Sequence, residues 1–542
     1  MRVCVVLDGL GGERAKRAAY VLRTLLTALG LPHEIVAGPR ANVAGPLVVR
    51  YGPSGHPGES ATAGWTSKAG ARRAHGWRAN RGTLALVEIA CQESLTAASP
   101  LTWLVGVGAN LVFAQPGADT RFAPTVNGAQ ARGVLRPAVV LGTCDPVEGE
   151  PLYRETAQGR AVVAAEGSRI RIGADLVASA GLWLTGGDEG PGGRDAFRRF
   201  RGAASARAQA GLLRTPVVTD LMWLLWEALD KAARGAGLRL ERMPAWPQGR
   251  KFAVLLSHDV DLWRKRTVRQ LGKELARSVR APRRLPKLAR CFCCGPDPWS
   301  DLDGIADLEE RRGMRSTFFL LPGRPDRVLD GVRIVNSYDA RPERVRDTAR
   351  RLVARGWEVG LHGSFDSFDS AEALGGESRD VAALAGQPVA GCRQHFLRFE
   401  RPTTWRRQAE AGLRYDATLG YHDADGYRAG FSFPFRPFAN EELPLLELPL
   451  VVADGALREH QGLDAEAAWQ RLQGYLERTE ADGAMLSLLW HNTHFCELDA
   501  PGYRGVYERA LDWTQEHGGW GASAREIAEW WEQRSASLQR ME

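Results

Sequence analysis

The feature that most constrains the fold is the regular alternation of strand-like and helix-like segments from Lys251 onward. Apolar runs such as KFAVLLS and RSTFFLLPG alternate with segments whose apolar residues recur at helical spacing, such as ERVRDTARRLVARG. Strands that alternate with helices build βα units, and βα units form parallel sheets. About seven such strands predict a closed or nearly closed barrel, and therefore an α/β fold.

The first part of the chain predicts a separate, smaller α/β domain. Strand-like runs RVCVVL, PLVVRYG, TLALVEIA and PAVVLG are separated by Gly- and Pro-rich turns, and a helical segment follows at 215–237. The Pro-rich stretch MPAWPQGR then marks a boundary. A chain of 542 residues exceeds what one hydrophobic core usually supports. We therefore predict an N-terminal α/β accessory domain at 1–246 and a β/α barrel at 251–535.

Composition and hydropathy are those of a soluble globular protein. Apolar residues make up 44% of the chain and charged residues 25%, which are ordinary shares. The opening MRVCVVLDGLGG is too short an apolar stretch for a signal peptide, and no segment reaches the roughly eighteen apolar residues of a membrane span. Eight cysteines are spread thinly along the chain, which is typical of reduced thiols. These features predict a cytoplasmic location.

Much of the net charge of +7 is concentrated in the segment 263–290, which is crowded with Arg and Lys and holds a single acid, Glu274. Such a run could be a solvated helix, or it could contact a phosphate-bearing substrate or a membrane surface. Peripheral membrane contact through 263–290 is therefore one expectation. The segment lacks interleaved aromatic residues and any recognisable nucleic-acid module, so we expect no nucleic-acid partner.

Ionisable residues collect where the predicted barrel strands end. This is the edge of a β/α barrel at which active sites assemble, because the loops after the strands converge over the barrel mouth. The residues at these positions are Asp259, Asp261, His362, Arg393, His395, Asp416, His491 and His494. Asp454, which follows the strand-like stretch LPLLELPLVV, is a secondary candidate.

The stretch LLSHDVDLW places carboxylates on one face of a strand end. Because side chains alternate between faces, Ser257, Asp259 and Asp261 share one side, and His258 and Val260 share the other. Two ionised carboxylates at one place repel each other and need a counter-charge. A divalent metal ion or an arginine such as that of the GCRQHFL segment could supply it.

The motifs LSHDVD, GMRSTFFLLPGR, ARGWEVGLHGS, GCRQHFL and LLWHN occur in the order typical of one family. In this respect the chain resembles the polysaccharide deacetylase superfamily, similar to carbohydrate esterase family 4. The resemblance is to a divergent cytoplasmic branch with a HDVD signature and an extra N-terminal α/β domain, and it covers Lys251 to about Trp531. It implies a C-terminal distorted (β/α)7-type deacetylase barrel preceded by a smaller N-terminal α/β domain.

The resemblance also implies catalytic roles. Asp259 matches the family's aspartate base, Arg393 matches the arginine that positions and charge-balances that base, and His491 matches the histidine acid after the last barrel strand. In that scheme Asp259 activates a water molecule for attack on an amide carbonyl, and His491 protonates the leaving amine.

For the metal, the resemblance implies Asp261, His362 and Asp366 as ligands of a divalent ion, with zinc as the first candidate. The chain departs from the family at two positions. Val260 stands where the ligand adjacent to the base is expected, and Asp366 replaces a histidine. Asp366 could instead be a loop carboxylate, and His395 or His258 could complete the site.

The resulting hypothesis is a metal-dependent hydrolase that removes an N-acetyl group from a sugar or glycan intermediate in surface polysaccharide biosynthesis. The substrate could be nucleotide-linked or lipid-linked, and the enzyme could sit at the cytoplasmic membrane face. Two alternatives stay open. The departures at Val260 and Asp366 suggest a catalytically lapsed barrel that only binds glycan, and the same barrel could be a metal-free hydrolase of another C–N bond.

Overall fold

A computed structural model describes most of the chain and divides it into two compact units. Unit 1 comprises 1–190, 216–244 and 534–542, and unit 2 comprises 191–215 and 245–533. The segment 191–215, which the predicted boundary assigns to the first domain, is thus part of unit 2. The described residues are 3–7, 10, 12–37, 47–53, 85–91, 147–154, 161–173, 175–189, 193–329, 331–338 and 340–541. The predicted strand PAVVLG lies outside them.

Unit 1 contains a seven-stranded sheet in the order β2-β1-β3-β4-β7-β6-β5. Strands β1 to β4 and β7 pair in parallel, whereas β5, β6 and β7 pair antiparallel. The strands are β1 (Val3–Leu7), β2 (His33–Ala37), β3 (Leu47–Pro53), β4 (Ala85–Cys91), β5 (Glu150–Arg154), β6 (Ala161–Glu166) and β7 (Arg169–Ile172).

Three helices of unit 1 are α1 (Gly12–Leu29), α2 (Leu176–Thr185) and α3 (Val217–Gly235). The side chain of Asp175 caps α2 by accepting a hydrogen bond of 2.8 Å from the backbone N–H of Ala178. The apolar side chains of α3 recur at helical spacing and are buried, and α3 packs against β4 and β7. The described part of unit 1 is therefore the α/β layer structure that its sequence pattern predicts.

Unit 2 contains a parallel sheet in the order β15-β14-β13-β12-β9-β8-β17-β16, with β18 also pairing with β8. Strand β8 is the longest of its strands, and every residue of it is buried. A separate antiparallel hairpin is formed by β10 and β11. The strands are β8 (Ala253–Val260), β9 (Thr317–Leu320), β10 (Arg327–Leu329), β11 (Val332–Ile334), β12 (Glu358–Gly363), β13 (Gly391–Gln394), β14 (Tyr415–Asp416), β15 (Leu446–Glu447), β16 (Val452–Ala453), β17 (Met485–Leu489) and β18 (Trp520–Ala522).

The sheet of unit 2 curls so that its two ends approach each other. Its terminal strands β15 and β16 are joined by the short segment 448–451, which an extended chain can stretch over only roughly 15 Å. Along this segment the N–H of Leu450 donates to the carbonyl of Leu419, and the N–H of Val451 donates to that of Ser487. The α/β barrel predicted from the strand count is thus confirmed as a curled, nearly closed parallel sheet.

Helices follow most of these strands and cover the outside of the sheet. One apolar core lies between β8, β17 and the helices α10 and α11, and its buried residues include Val254, Leu472, Leu488 and Tyr507. The described helices of unit 2 with at least eight residues are α4 (Val268–Arg280), α5 (Leu285–Cys293), α6 (Leu302–Glu310), α7 (Pro342–Ala354), α8 (Ala371–Ala385), α9 (Thr403–Glu410), α10 (Ala465–Asp482), α11 (Tyr503–Glu516) and α12 (Ala524–Arg540), whose last residues belong to unit 1.

Strand register brings the functional side chains to one edge. Asp259 on β8 pairs with Phe319 on β9, and His362 on β12 pairs with Arg393 on β13. Because all these strands are parallel, their carboxyl ends lie at the same edge of the sheet. Two insertions leave that edge: α4 and α5 follow β8, and the β10–β11 hairpin follows β9. Among the described residues, no helix is long and apolar enough to cross a membrane.

Candidate active site

A cavity of about 320 Å³ lies at the carboxyl edge of the unit 2 sheet. It collects side chains from four parts of the barrel, namely the ends of β8, β12, β13 and β17. The residues that could do chemistry along its wall include Asp259, Asp261, His362, His395, His491 and His494. Asp259 and five more of the eight strand-end residues predicted from the sequence therefore line one cavity. Arg393 lies directly behind them.

Asp261, His362 and His395 form a three-residue cluster in which one ligand atom of each lies within 4.8 Å of the others. Oδ1 of Asp261 is 3.1 Å from Nε2 of His362 and 3.6 Å from Nε2 of His395. Nδ1 of His362 lies 2.9 Å from the carbonyl oxygen of Arg393, which holds its other ring nitrogen toward Asp261. A backbone carbonyl in this position is the usual outer partner of a metal-binding histidine.

The electrostatics of this cluster favour one carboxylate and at least one neutral imidazole. Burial lowers the pKa of His395 to about 4, against the attraction of Asp261. Burial works against the ionised form of Asp261, yet the three neighbouring histidines hold its pKa well below the usual range. Asp261 is therefore a charged acceptor, and His395 offers a neutral ring nitrogen at neutral pH.

The cluster fits a divalent metal ion. Oδ1 of Asp261 is buried and has no hydrogen-bond partner among the described residues, although it faces two imidazole nitrogens. An unsatisfied buried carboxylate oxygen is costly, and a cation removes that cost. One carboxylate and two histidines form a common donor set for zinc and for other first-row metals.

Asp366, predicted as the third ligand, is not part of this cluster and does not line the cavity. Its carboxylate is half exposed and is paired with Arg327 and Arg398. The third member of the cluster is His395, which is one of the two alternatives open from the sequence. Asp366 is held away because it belongs to the turn after β12, where two guanidinium groups bind it.

The other alternative, His258, points to the opposite side of β8. Its Nδ1 lies 2.8 Å from the carbonyl oxygen of Trp490, and its Nε2 lies 2.7 Å from Oε1 of Glu309. Tyr507 also donates to this Glu309 oxygen at 2.7 Å. The alternation of side chains along β8 thus separates a buried His258–Glu309 pair from the cavity face.

Asp259 lies on the cavity face beside Arg393. Nη1 of Arg393 donates to Oδ1 of Asp259 at 3.1 Å and to Oγ of Ser257 at 2.7 Å, and Nε donates to the carbonyl of Ala417. The guanidinium is fully buried and stacks over the ring of Phe319. Arg393 is therefore the counter-charge for Asp259, while the metal-type cluster surrounds Asp261.

A second group, centred on Asp454, orients His491. Oδ1 of the buried Asp454 is 2.6 Å from Nδ1 of His491, and Oδ2 is 2.6 Å from Nδ1 of His494. Burial alone would lower the pKa of His491, but Asp454 raises it to about 10. For the same reasons the pKa of His494 is raised to about 9. Nε2 of His491 lies 3.6 Å from Asp261, so a protonated imidazole faces the metal-type cluster.

Asp416, like Arg393, is a predicted strand-end residue that does not line the cavity. It is fully buried and accepts hydrogen bonds from Gln408 and Thr418. It also neighbours Glu447 on β15, and burial together with Asp416 raises the pKa of Glu447 well above its usual range. This acidic pair lies inside the barrel wall and is separate from the candidate active site.

Sequence reasoning left much of the cavity wall unassigned. Asp454, a secondary candidate from the sequence, does follow a strand, β16, although this strand is only two residues long. Its pairing with His491 and His494 was not predicted. No comparable signal marks Arg199, His422, Glu459 or His460, which line the rest of the cavity. Arg199 comes from the segment 191–215, which the predicted boundary placed in the other domain.

Comparisons with known proteins point to solved structures alone, because no protein-family model and no curated protein matches the chain. A Mycobacterium smegmatis protein assigned to the polysaccharide deacetylases is 19% identical over 54% of this chain and 96% of its own, with a TM-score of 0.37. The allantoinase Puue is 18% identical over 54% of this chain and 94% of its own, with a TM-score of 0.38.

A third solved structure is a CE4 family pseudoenzyme from Bacillus anthracis. It is 12% identical over 53% of this chain and 70% of its own, with a TM-score of 0.27. The structures that this chain is similar to thus include polysaccharide deacetylases, the superfamily that its sequence motifs resemble.

Proposed function

We propose that this protein is a metal-dependent hydrolase that removes the N-acetyl group from an amino sugar or glycan. One observation carries the proposal. Three parts face one cavity: a cluster of metal-ligand type, a carboxylate held by an arginine, and a histidine held by a carboxylate. Their side chains come from the ends of β8, β12, β13 and β17. These are the parts that hydrolysis of an amide requires.

Asp261, His362 and His395 would hold the metal. A divalent ion bound there would polarise the amide carbonyl and acidify a nearby water molecule. This ligand set replaces the set that includes Asp366.

The chain's own residues would move the protons. Asp259 accepts a proton from water as the water oxygen bonds to the carbonyl carbon, and the hydrogen bond from Arg393 holds Asp259 in position. The C–N bond then breaks, and His491 gives its Nε2 proton to the leaving nitrogen. Asp454 raises the pKa of the His491 imidazole to about 10, so His491 is protonated and can donate a proton at neutral pH. The products are acetate and a free amine.

The substrate that we propose is an intermediate of surface polysaccharide synthesis, made in the cytoplasm and carried on a nucleotide or a lipid. Support comes from the basic segment 263–290, which follows β8 and so leaves the edge that bears the cavity. A phosphate or pyrophosphate group on the substrate carrier would be attracted by this charge.

The deciding experiment combines metal content with acetate release. The purified protein is assayed by inductively coupled plasma mass spectrometry and with N-acetylated amino sugars, next to Asp259→Asn. We expect near-stoichiometric zinc or another divalent ion in both proteins, and acetate release in the wild type alone. This variant is a matched test because Asp259 is not one of the three proposed ligands.

Each alternative function predicts a different result. Saturable glycan binding with no acetate release from any amide would favour the barrel that only binds glycan. Turnover that survives complete chelation would favour metal-free hydrolysis of another C–N bond. Either result would overturn the metal-dependent deacetylase.

A further inference from the structure

Exposed large apolar side chains are concentrated at one place in the part of the chain that the structure describes. Seven such side chains are exposed, and six of them lie on the two insertions that leave the carboxyl edge of the unit 2 sheet. We call the exposed side chains of α4, α5 and the β10–β11 hairpin the rim surface. Its apolar members are Val268, Leu275, Val279, Leu285, Val328 and Val332.

Helix α4 has two different faces. Glu274 and Ser278 are buried on the inner face. Val268, Leu275 and Val279 follow one another at spacings of seven and four, so they share one stripe of the helix. This stripe points to solvent, with Val268 90% exposed and Val279 81% exposed. The packing of unit 2 therefore does not account for these valines, and a contiguous exposed apolar patch is typical of an interaction site.

Positive charge lies beside the valine stripe. The charge of Glu274, the single acid of this segment, is balanced within the segment, because Glu274 pairs with Lys265, Arg277 and Arg284 at 2.8 to 3.2 Å. Other basic residues of the segment are exposed and have no carboxylate within 4 Å among the described residues. They are Arg264, Arg269, Lys273, Arg280, Arg283 and Arg290.

The rim surface and the cavity share an edge of the barrel. Strands β8 and β9 are parallel neighbours, α4 and α5 follow β8, and the β10–β11 hairpin follows β9. Asp259 and Asp261, at the end of β8, line the cavity. Any partner bound by the rim surface is therefore brought to the side of unit 2 that holds the candidate active site.

We propose that the rim surface docks on an anionic lipid bilayer. Exposed valine and leucine side chains beside unpaired arginines and one unpaired lysine match a layer that offers acyl chains and negative headgroups together. A free nucleotide or phosphate would explain the charges but not the valines.

If the proposed function also holds, the natural substrate is a glycan on a lipid carrier. The docked protein then holds its cavity near the membrane surface. This consequence rests on the proposed function, whereas the docking itself does not.

The test is vesicle flotation, without substrate or added metal, using phosphatidylcholine vesicles and vesicles that also contain phosphatidylglycerol. We expect binding at least roughly tenfold tighter to the anionic vesicles, weakened by added salt. Arg280→Gln/Arg283→Gln and Val268→Ser/Val279→Ser should each weaken this binding by roughly tenfold or more. The control Arg407→Gln/Arg504→Gln loses the same charge from helices outside the rim surface, and we expect it to bind like the wild type.

Several outcomes would overturn the docking. The wild type could fail to bind anionic vesicles, bind both vesicle types equally, or lose as much affinity in the control as in the rim variants. The substituted side chains are exposed, except for the partly exposed Arg407 of the control, so the variants should keep the wild-type melting temperature. Acetate release from a small soluble amide should not change in them. A failure of the proposed function would appear in that assay, and a failure of docking would appear in flotation.

Discussion

Nδ1 of His491 and Oδ1 of Asp454 are 2.6 Å apart, and the Asp454 carboxylate is completely buried. The same carboxylate accepts hydrogen bonds from the backbone N–H groups of Gly455 and His491. Because these donors fix the carboxylate, Asp454 sets both the orientation and the charge of the His491 ring.

We expect Asp454→Asn to reduce kcat by roughly a hundredfold or more, since general acid catalysis depends on a positioned, protonated imidazole. His494→Gln should cost much less, because His494 contacts Asp454 but does not face Asp261. Steady-state kinetics of both variants, with metal content measured in parallel, provide the check. Equal losses in the two variants, or loss of metal from Asp454→Asn, would contradict this division of roles.

A second prediction separates the two possible ligand sets. His395→Ala should lose most of the bound metal because it removes one of three converging donors. Asp366→Ala should keep the metal, because Asp366 is paired with Arg327 and Arg398 outside the cluster. Mass-spectrometric metal analysis of the two folded variants, with His362→Ala as a positive control, distinguishes the sets. Metal retained in His395→Ala and lost in Asp366→Ala would restore the ligands implied by the motifs.

A third prediction concerns the buried pair behind the active site. Glu309 accepts hydrogen bonds from Ser316, Trp357 and Tyr507 and also binds His258. In Glu309→Gln, the amide N–H groups of Gln face other hydrogen-bond donors in the buried interior. This lowers the free energy of unfolding by about 3 kcal/mol.

The melting temperature of the transition that includes unit 2 should therefore fall by about 6 °C or more in Glu309→Gln. Tyr507→Phe removes one donor and should lower it by about a third as much. Tryptophan fluorescence follows this transition. A Glu309→Gln protein as stable as the wild type would show that the pair contributes little.

The fourth prediction is a pH dependence of stability. Burial, and next the charge of Asp416, raise the pKa of Glu447 in the folded chain well above its ordinary value of 4.5. The folded state then holds a proton that the unfolded state releases. The associated stability is fully present below about pH 4.5 and is lost as the pH rises toward the folded pKa.

Glu447→Gln removes this titration while keeping a neutral side chain of the same shape. The melting temperature of the wild type should fall relative to that of Glu447→Gln between about pH 5 and pH 8. Thermal unfolding across that range gives the difference. Parallel curves for the two proteins would mean that Glu447 keeps its ordinary pKa in the fold.

The sequence predicted those parts of the site that regular strand geometry determines. The face shared by Asp259 and Asp261 follows from the two-residue period of β8, and the position of His362 follows from the parallel register of β12. Alternation also explains why His258 lies behind the sheet.

The remaining parts depend on loops. The conformation of the loops after β12 and β13 determines whether Asp366 or His395 lies near Asp261. In the structure, Asp366 pairs with Arg327 and Arg398 instead. The sequence marked Asp454 as a secondary candidate after a strand, but its contacts with His491 and His494 join two loops and leave no local pattern. The position of Arg199 depends on the segment 191–215, which packs with the residues 245–533 of unit 2. Local sequence pattern does not reveal this long-range packing.

The pairing of β8 has a consequence for how the chain acquires its structure. Its neighbours β17 and β18 lie near the other end of the unit 2 sequence. Strand β12, which carries His362, and β13, which His395 follows, are made much earlier. During synthesis, all three proposed metal ligands leave the ribosome while one side of β8 still lacks its partners. Long-range pairing of this kind is slow. A cation that gathers the three side chains early would hold β8 in register until the strand that delivers His491 arrives.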